Sequence, residues 1–456
     1  MSEWLIQRFS EYAQRPFLAQ GEEIHTYERL TEKIHDYCTS FSAQGIDAGD
    51  VVTLEANYSI SAIAALFALF KLKAIATPIT ATSDKELELR RTEANAKWSI
   101  CLDQSQSLPK FILHEKASKQ QDILRQLVTK GTAGLILFSS GSTGTPKAMV
   151  HDVDQLLDVF SKKRPRKHHI LIFLLFDHIG GLNTLFNGLA SGALIVVPSV
   201  RDANVVGECI QRHKVTLLPA SPTFLNLFLI SGAHENFDLS SLRFVTYGTE
   251  PMPESLLQRL KIALPDVSFI QTFGTSETGI SQTISRSSQS TQIKINDPNT
   301  EFKIVDSELW LRSKSQILGY LNHDMSRFTA DGWFKTGDMV EQSADGFLTI
   351  KGRREDLINV GGEKVTPSEV ENVLLDMSEV ADCLVYGQEN ALTGQNVVAE
   401  IVPKDIHCDT KALKRKIRQH CRKILSPYKV PARIIFNSKI AFGSRYKKNR
   451  ILKTSE

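Results

Sequence analysis

Short apolar runs rich in β-branched residues alternate with helix-forming segments through the first 265 residues of the chain. Strands and helices that alternate at this spacing are typical of βαβ units around a mostly parallel sheet. The pattern therefore predicts an α/β fold with a large N-terminal domain. The clearest strand–helix pairs are "VVTLEA" with "SISAIAALFALFK" (51–71), "ALIVVPS" with "ANVVGECIQRH" (193–213), "VTLLPAS" with "PTFLNLFLISG" (215–232), and "LRFVTYG" with "ESLLQRLKIAL" (242–264).

The pattern changes after about residue 300. The segments "EFKIVDSELWLRS" (301–313) and "GFLTIKGR" (346–353) predict strands of a small twisted β region. Two helical segments flank further strands beyond them, at 367–377 and 409–425, which predicts a small α+β unit at the C-terminus. The charged turn "GRREDLI" lies between these regions, so we expect domains at 1–353 and 354–456.

Composition limits the class of protein. The 456 residues carry a net charge of +3, which does not favour bulk nucleic-acid binding. The basic residues are concentrated near the end, where residues 411–453 contain 15 Lys and Arg and no Asp or Glu. Such a segment is consistent with an anionic partner and equally with a solvated helix face.

Cysteine usage and the N-terminal segment indicate a cytoplasmic protein. The six cysteines include no CxxC pair, so neither a zinc site nor a disulfide framework is predicted. The N-terminus lacks a basic-then-apolar signal pattern. The most apolar stretch, residues 60–70, is too short to span a bilayer, so we expect no transmembrane segment.

A glycine-rich loop interrupts the apolar run at residues 135–150, "LILFSSGSTGTPKAMV". A Walker A loop requires GxxxxGK[ST], whereas Gly141, Gly144 and Lys147 have the spacing GxxGxxK. The loop nevertheless offers backbone N–H groups, hydroxyls and a cation, which suit phosphate oxygens. A plain flexible turn is the alternative for this stretch taken alone.

Three later segments accompany this loop in a fixed order: "QTFGTSETG" (271–279), "GYLNHDMSRFTADGWFKTGDMVE" (319–341) and "IKGRREDLINVGGEKVTPSEVENVL" (350–374). Together with "FSSGSTGTPKAMVH" (138–151) they resemble the signature motifs of the adenylate-forming (AMP-binding) superfamily. That superfamily includes acyl-CoA and aryl-CoA synthetases, peptide-synthetase adenylation domains and luciferases. The chain is similar to a compact, stand-alone acyl- or aryl-CoA synthetase.

The resemblance implies a two-step reaction and its cofactors. A carboxylic acid and ATP form an acyl-adenylate and pyrophosphate with the help of Mg²⁺. A thiol then displaces AMP, and the thiol belongs to coenzyme A or to the phosphopantetheine of a carrier protein. Between the two steps the C-terminal domain of the family rotates, with Glu355 in "GRRED" at the expected hinge.

Carried over residue by residue, the resemblance assigns the nucleotide site. Lys147 and Glu277 are expected to act in catalysis, and Glu277 and Thr143 are the candidate Mg²⁺ ligands. Asp338 is expected at the ribose, Arg353 at the ribose or a phosphate, and Phe273 stands where the family more often has a tyrosine against adenine. The remaining nucleotide-binding candidates are Ser139, Ser140, Gly141, Ser142, Thr143, Gly144, Gly248, Thr249, Glu250, Gly274, Thr275 and Ser276.

Three further assignments concern the acyl group, the thiol and the catalytic cation. His178 in "FDHIGG" is expected to gate the acyl pocket or position the carboxylate. Gly361 and Gly362 are expected in the pantetheine channel, with a simple hairpin turn as the alternative. The family's adenylation lysine lies in a "TxxGKxxR"-like motif, and in "FGSRYKKNRILKTSE" (442–456) we expect Lys448, with Arg450 as the alternative.

The apolar and aromatic residues of the expected acyl pocket favour an aromatic or medium acyl acid, and Asp177 leaves amino acids open as substrates. The leading hypothesis is therefore an ATP-dependent acid–CoA ligase. One alternative is a ligase that loads an acyl carrier protein. The other is a catalytically weakened family member with a binding role, which the irregular tail would explain.

Overall fold

The computed structural model describes residues 3–80, 83–102, 108–114, 121–139, 146–443, 446–448 and 450. The first sheet of the large domain has seven strands, and all neighbours except β1 and β2 are parallel. In spatial order the strands are β13 (Ser268–Gln271), β12 (Phe244–Tyr247), β11 (Leu217–Ala220), β9 (His169–Leu171), β10 (Leu194–Val197), β1 (Pro16–Gln20) and β2 (Glu23–Thr26).

The second sheet also has seven strands, and its three parallel pairings lie at the centre, among β3, β4, β5 and β7. In spatial order the strands are β20 (Gly319–Tyr320), β8 (Lys147–Asp152), β7 (Gly134–Ser139), β4 (Ile75–Ile79), β3 (Val51–Glu55), β5 (Trp98–Cys101) and β6 (Lys110–Leu113).

Helices connect these strands and fill the space around them. They are α1 (Glu3–Glu11), α2 (Tyr27–Ala43), α3 (Ile60–Lys71), α4 (Asp84–Ala94), α5 (Asp122–Lys130), α6 (Val153–Asp158), α7 (Ile179–Ser191), α8 (Ala203–His213), α9 (Pro222–Ile230), α10 (Ala233–Asn236) and α11 (Glu254–Ala263).

The largest hydrophobic core joins side chains from both sheets with helices α1, α2, α3 and α7. Residues 62–70 of α3 are all buried, which explains why this segment is apolar on every face. The stretch that could be mistaken for a membrane segment is therefore a core helix, as its length predicts. Among the described residues no helix combines the length and the hydropathy needed to cross a bilayer.

The small β region follows the two large sheets. Its strand pair is β14 (Phe273–Thr275) with β15 (Gly279–Ser281), and the six-stranded sheet is formed by β16 (Thr283–Ser285), β17 (Gln292–Ile295), β22 (Leu348–Arg353), β21 (Phe334–Gln342), β19 (Glu308–Ser313) and β18 (Thr300–Val305). All its pairings are antiparallel. The predicted change of character after residue 300 corresponds to this sheet.

The C-terminal unit has its own sheet and its own hydrophobic core. It consists of β23 (Ile358–Val360), β24 (Glu363–Val365), α12 (Pro367–Leu375), β25 (Val380–Asn390), β26 (Gly394–Pro403), α13 (Thr410–Ile424) and β27 (Arg433–Phe436). A single 3₁₀ turn at Arg354–Asp356 connects it to β22. The α/β fold class, with a large N-terminal and a small C-terminal part, is confirmed.

Candidate active site

The glycine-rich loop leaves the second sheet between β7 and β8. Ser139 ends β7 and faces Lys147, the first residue of β8, across the antiparallel ladder. Both are half-buried. Five predicted phosphate-binding residues lie outside the described residues: Ser140, Gly141, Ser142, Thr143 and Gly144.

Lys147 lies beside Tyr320, which in turn contacts Glu277. Its ammonium group is 5.8 Å from the centre of the Tyr320 ring, and the Tyr320 hydroxyl donates a hydrogen bond of 3.1 Å to Glu277 Oε1. Burial, followed by the nearby Glu277 carboxylate, raises the pKa of Tyr320, so the phenol keeps its proton and remains a donor. Three motifs that are far apart in sequence thus meet at one point.

Strand β20 holds this arrangement in register. Tyr320 pairs with Met149 of β8, and the Ala148 N–H donates to the Asn322 side-chain oxygen at 3.0 Å. The Asn322 amide donates in turn to the carbonyl of Pro146 at 2.9 Å. These bonds fix the start of β8 and therefore the direction in which Lys147 leaves the sheet. Tyr320 and Asn322 lie in the 319–341 motif, but the sequence indicates no role for either residue, because only the fold brings them next to the loop.

Glu277 is suitable as a magnesium ligand. Its Oε1 accepts from Tyr320, and its Oε2 accepts no hydrogen bond from a described residue, which leaves an oxygen for a cation. Mg²⁺ usually takes one or two carboxylates and completes its shell with phosphate oxygens and water. The described part of the chain contains no group of three or more His, Cys, Asp and Glu residues that could hold a metal by themselves. Glu277 fits a cation that is held largely by a bound nucleotide.

Asp338 and Arg353 are partners across the β21–β22 ladder. Arg353 Nε lies 3.4 Å from Asp338 Oδ1, and the Asp338 side chain is buried. Burial raises the pKa of Asp338, while Arg353, Lys447 and Arg327 oppose that shift. Arg353 also interacts electrostatically with Glu277, which connects this pair with the Lys147–Tyr320–Glu277 group.

Strand β12 ends in a tightly packed turn. A Cβ on Gly248 would lie 2.8 Å from the carbonyl oxygen of Thr272, so only glycine fits there, and Thr249 adopts a left-handed φ of 73°. The Glu250 carboxylate accepts from the Thr223 N–H at 2.7 Å and from the Lys448 N–H at 3.5 Å. Glu250 therefore contacts the C-terminal tail, which its assignment to the nucleotide site did not anticipate.

The "FGTS" segment forms a tight hairpin. Phe273 is 7% exposed and packs with Ile293 and Leu309 in the core of the small β region, so stacking of its ring on adenine stays a prediction. A Cβ on Gly274 would lie 2.3 Å from the Gly279 carbonyl oxygen. The Thr275 hydroxyl accepts from the Thr278 N–H at 3.1 Å, and Ser276 is half-buried.

His178 caps helix α7, where its Nδ1 accepts from the Gly180 N–H at 3.2 Å. Neighbouring Asp177 is buried and accepts from Arg90 NH1 at 2.6 Å and from the Thr80 N–H at 3.3 Å. Both contacts are made by Oδ2, and the buried Oδ1 has no hydrogen-bond partner among the described residues. Amino acids therefore stay an open alternative, as the sequence left them.

The predicted catalytic cations in the tail point into the C-terminal unit. Lys448 Nζ lies 2.8 Å from Asp382 Oδ1 and donates to the Cys383 carbonyl at 2.6 Å. Arg450 NH2 lies 2.8 Å from both oxygens of Glu371. Both basic groups are thus neutralised inside the C-terminal unit, and their positions do not support a role for Lys448 or Arg450 at the nucleotide.

Lys447 has a different charged neighbour from Lys448 and Arg450. Lys447 is one of the cations that interact with the Asp338 carboxylate. The "TxxGKxxR" pattern also fits 443–450 if Gly443 stands for the threonine and Tyr446 for the glycine, and Tyr446 has a left-handed φ of 51°. A tyrosine at a glycine-like position concealed this alignment in the sequence.

Gly361 and Gly362 connect β23 and β24 in a two-residue turn with φ of 61° and 95°. A Cβ on either glycine would meet nothing within 4 Å. The Gly361 N–H donates to the Thr393 carbonyl at 2.8 Å, which joins the turn to the hairpin formed by β25 and β26. The hairpin alternative describes their local structure, and their role toward pantetheine stays a prediction.

Comparison with known proteins agrees with this geometry. Residues 6–321 match the family model described as AMP-binding enzyme, and residues 369–441 match the model described as AMP-binding enzyme C-terminal domain. The chain belongs to the AMP-binding enzyme family, as the motifs predicted.

Several similar proteins of known name are CoA ligases. The 2-succinylbenzoate–CoA ligase of Bacillus cereus is 26% identical over 96% of this chain and 94% of its own length. A probable CoA ligase of Humulus lupulus is 26% identical over 91% of this chain and 85% of its own length. The indoleacetate–CoA ligase of Aromatoleum aromaticum is 29% identical over 59% of this chain and 57% of its own length.

Solved structures share the fold over nearly the whole chain. An anthranilate CoA ligase in complex with anthranoyl-AMP superposes with a TM-score of 0.81 at 20% identity, over 98% of this chain and 95% of that one. The o-succinylbenzoate CoA synthetase of Bacillus subtilis, in complex with its acyl-adenylate, has a TM-score of 0.79 at 22% identity, over 99% of this chain and 97% of that one.

Proposed function

We propose that this chain is an AMP-forming acid–CoA ligase that activates an aromatic carboxylic acid. The observation that carries the proposal is the convergence of Lys147, Tyr320 and Glu277 beside the Asp338–Arg353 pair. A cation, a protonated phenol and an acid with an available oxygen suit a magnesium-bound polyphosphate. The named relatives that act on succinylbenzoate and indoleacetate support an aromatic acid as substrate.

In the first step, a carboxylate oxygen of the acid attacks the α-phosphorus of ATP, and the bond to the β-phosphate oxygen breaks. Negative charge accumulates on the phosphate oxygens, so the residues that matter are donors and cations fixed in advance. Lys147 supplies positive charge at the loop, and Glu277, oriented by Tyr320, would hold the cation. When bound, Mg²⁺ would neutralise the leaving pyrophosphate.

Asp338 suits the ribose. Its carboxylate lies beside Arg353 and can accept hydrogen bonds from two adjacent hydroxyls, as the resemblance implies. Its pKa is raised by burial, yet three cations oppose the rise and favour the charged acceptor. The adenine side would be formed by the segments 248–250 and 273–276.

The cation at the α-phosphate is Lys447 in this proposal, in place of Lys448 or Arg450. Lys447 interacts electrostatically with the Asp338 carboxylate, whereas Lys448 and Arg450 are bound to carboxylates of the C-terminal unit. An ammonium that approaches the α-phosphate would stabilise the transition state of adenylation. Because the tail contains such a lysine, its irregular sequence no longer argues for a catalytically weakened protein.

In the second step, a thiolate attacks the acyl carbon and AMP leaves with the electrons of the broken acyl–oxygen bond. We propose coenzyme A as the thiol, an acyl carrier protein as a less supported acceptor, and the cytoplasm as the location. The domains would be 1–353 and 354–456, with Glu355 at the hinge. The basic surface of the C-terminal unit suits the phosphates of coenzyme A.

The test is pyrophosphate release from the full chain with ATP, Mg²⁺ and a panel of carboxylic acids, each with and without coenzyme A. The proposal expects release that depends on an aromatic acid, rises with coenzyme A, and yields acyl-CoA and AMP by mass. Release that coenzyme A does not change would indicate another acceptor. A panel in which only aliphatic acids are used would overturn the substrate class, and the absence of release with any acid would overturn the ligase assignment.

A further inference from the structure

The C-terminal tail carries two buried acid–base pairs that have no place in the reaction described above. One joins Lys448 to Asp382, and their side chains are 9% and 7% exposed. The other joins Arg450 to Glu371, with side chains 17% and 6% exposed. Two such pairs within three residues at the end of the described chain require an explanation, because burying charge is costly unless it is fully compensated.

Both pairs are well satisfied by further bonds. Glu371 Oε1 also accepts from the Val385 N–H at 2.9 Å, and Arg450 Nε donates to the Val385 carbonyl at 3.2 Å. Burial alone would raise the pKa of Glu371, but Arg450 and Lys448 lower it below its usual range. The side chains of Lys448 and Arg450 are therefore bonded to α12 and β25 of the C-terminal unit.

The backbone of the tail is bonded to the other domain. The Tyr446 carbonyl accepts from the Ser221 hydroxyl at 2.7 Å, and the Lys448 N–H donates to Glu250 at 3.5 Å. The Tyr446 ring packs against Phe173 and Phe224, with ring centres 5.1 and 5.5 Å apart respectively. Lys447 stands between Tyr446, which is bound to the large domain, and Lys448, which is bound to the small one.

We propose that the Lys448–Asp382 and Arg450–Glu371 pairs are positioning devices for the adenylation step, which hold the tail so that Lys447 reaches the nucleotide at Asp338. Neither pair touches the reacting atoms, so Asp382 and Glu371 act through Lys447. The pairs lie within the C-terminal unit, and they would travel with it when that unit rotates for the second step. Their loss should therefore impair adenylation and spare thioester formation. The inference rests on the proposed function and adds to it the residues that orient the cation.

The test measures the two half-reactions separately in the full chain. Glu371→Gln and Asp382→Asn are compared with wild type for acid-dependent pyrophosphate release, and for conversion of supplied acyl-adenylate and coenzyme A to acyl-CoA. We expect adenylation to fall about 10-fold or more, since misplacing a reacting group by an ångström costs of this order, while the second half-reaction is unchanged. Glu369→Gln is the matched control, because Glu369 is an exposed residue of the same helix, paired with Lys429.

A double-mutant cycle distinguishes positioning from general damage. Each substitution is repeated in a Lys447→Ala background, where a group that acts through Lys447 has nothing left to orient. We expect no further loss of adenylation in that background. Equal loss in both half-reactions, additional loss in the Lys447→Ala background, or normal adenylation in both single variants would each overturn the proposal.

Two features keep the test interpretable. If Glu371→Gln does not fold because Arg450 is left unpaired, Glu371→Leu with Arg450→Leu removes both charges together, and it should show the same selective loss. Full thioester activity from supplied acyl-adenylate reports that the fold is intact. Absence of pyrophosphate release in wild type would refute the proposed function, whereas an active wild type with unaffected variants would refute only the positioning role.

Discussion

His151 lies at the centre of β8, is 1% exposed, and has no hydrogen-bond partner for either ring nitrogen among the described residues. Burial lowers its pKa from the model-peptide value of 6.5 to about 4. The folded protein therefore binds the proton less tightly than the unfolded chain does. The loss of unfolding free energy caused by His151 is absent above about pH 6.5. It grows as the pH decreases between these two pKa values and levels off below about pH 4.

The magnitude follows from the two pKa values. The full shift corresponds to about 3 kcal/mol, and by pH 5 about 2 kcal/mol is already lost. His151→Leu removes the titrating ring from an apolar site. The unfolding free energy that the protein loses between pH 7 and pH 5 should therefore be smaller in this variant by about 2 kcal/mol. Urea denaturation at pH 7, 6 and 5 measures it, with the exposed His407→Leu as control. An unchanged slope in His151→Leu would refute the reasoning.

Three further substitutions test the site and its support. Lys447→Ala should reduce acid-dependent pyrophosphate release about 100-fold, because it removes a cation at the α-phosphate. The exposed control variant Lys439→Ala should retain activity. Normal release from Lys447→Ala would show that another cation acts at the α-phosphate. Tyr320→Phe removes a hydrogen-bond donor to Glu277 and should raise the KM for ATP about 10-fold, with Tyr428→Phe as the control. An unchanged KM would mean that the phenol does not orient Glu277. Gly181→Ala places a Cβ 2.1 Å from the Leu175 carbonyl oxygen, so thermal unfolding should show a loss of about 2 kcal/mol or more relative to Asn183→Ala. A fully stable Gly181→Ala would show that the start of α7 can shift.

Much of the site was predictable because its parts are contiguous. The loop at 139–147, the "TSET" segment and the "TGD" segment are short motifs whose chemistry depends on neighbours in sequence. The alternating apolar runs likewise predicted the sheets, since side-chain periodicity is a local property. Lys147, Glu277 and Asp338 were therefore identified before their mutual distances were known.

The proposed catalytic cation, Lys447, was not predictable in this way. Three basic residues lie within four positions, and the motif glycine that would have identified the lysine is replaced by Tyr446. Which of the three faces the nucleotide depends on the carboxylates that take the other two, and those carboxylates are on α12 and β25. Glu371 lies within the 350–374 motif and Asp382 outside it, but neither position indicates a partner in the tail, because buried ion pairs between distant residues follow no local spacing.

The sequence by itself determined the family, the α/β architecture and the candidate residues of the nucleotide site, since these depend on local patterns of glycine, hydroxyl, charge and apolar residues. The tertiary structure decided which groups meet: Tyr320 with Glu277, Asp177 with Arg90, and Lys447 rather than Lys448 on the side of Asp338. The physical reason is that charge pairing and burial are set by distance in space, and only the folded chain fixes those distances.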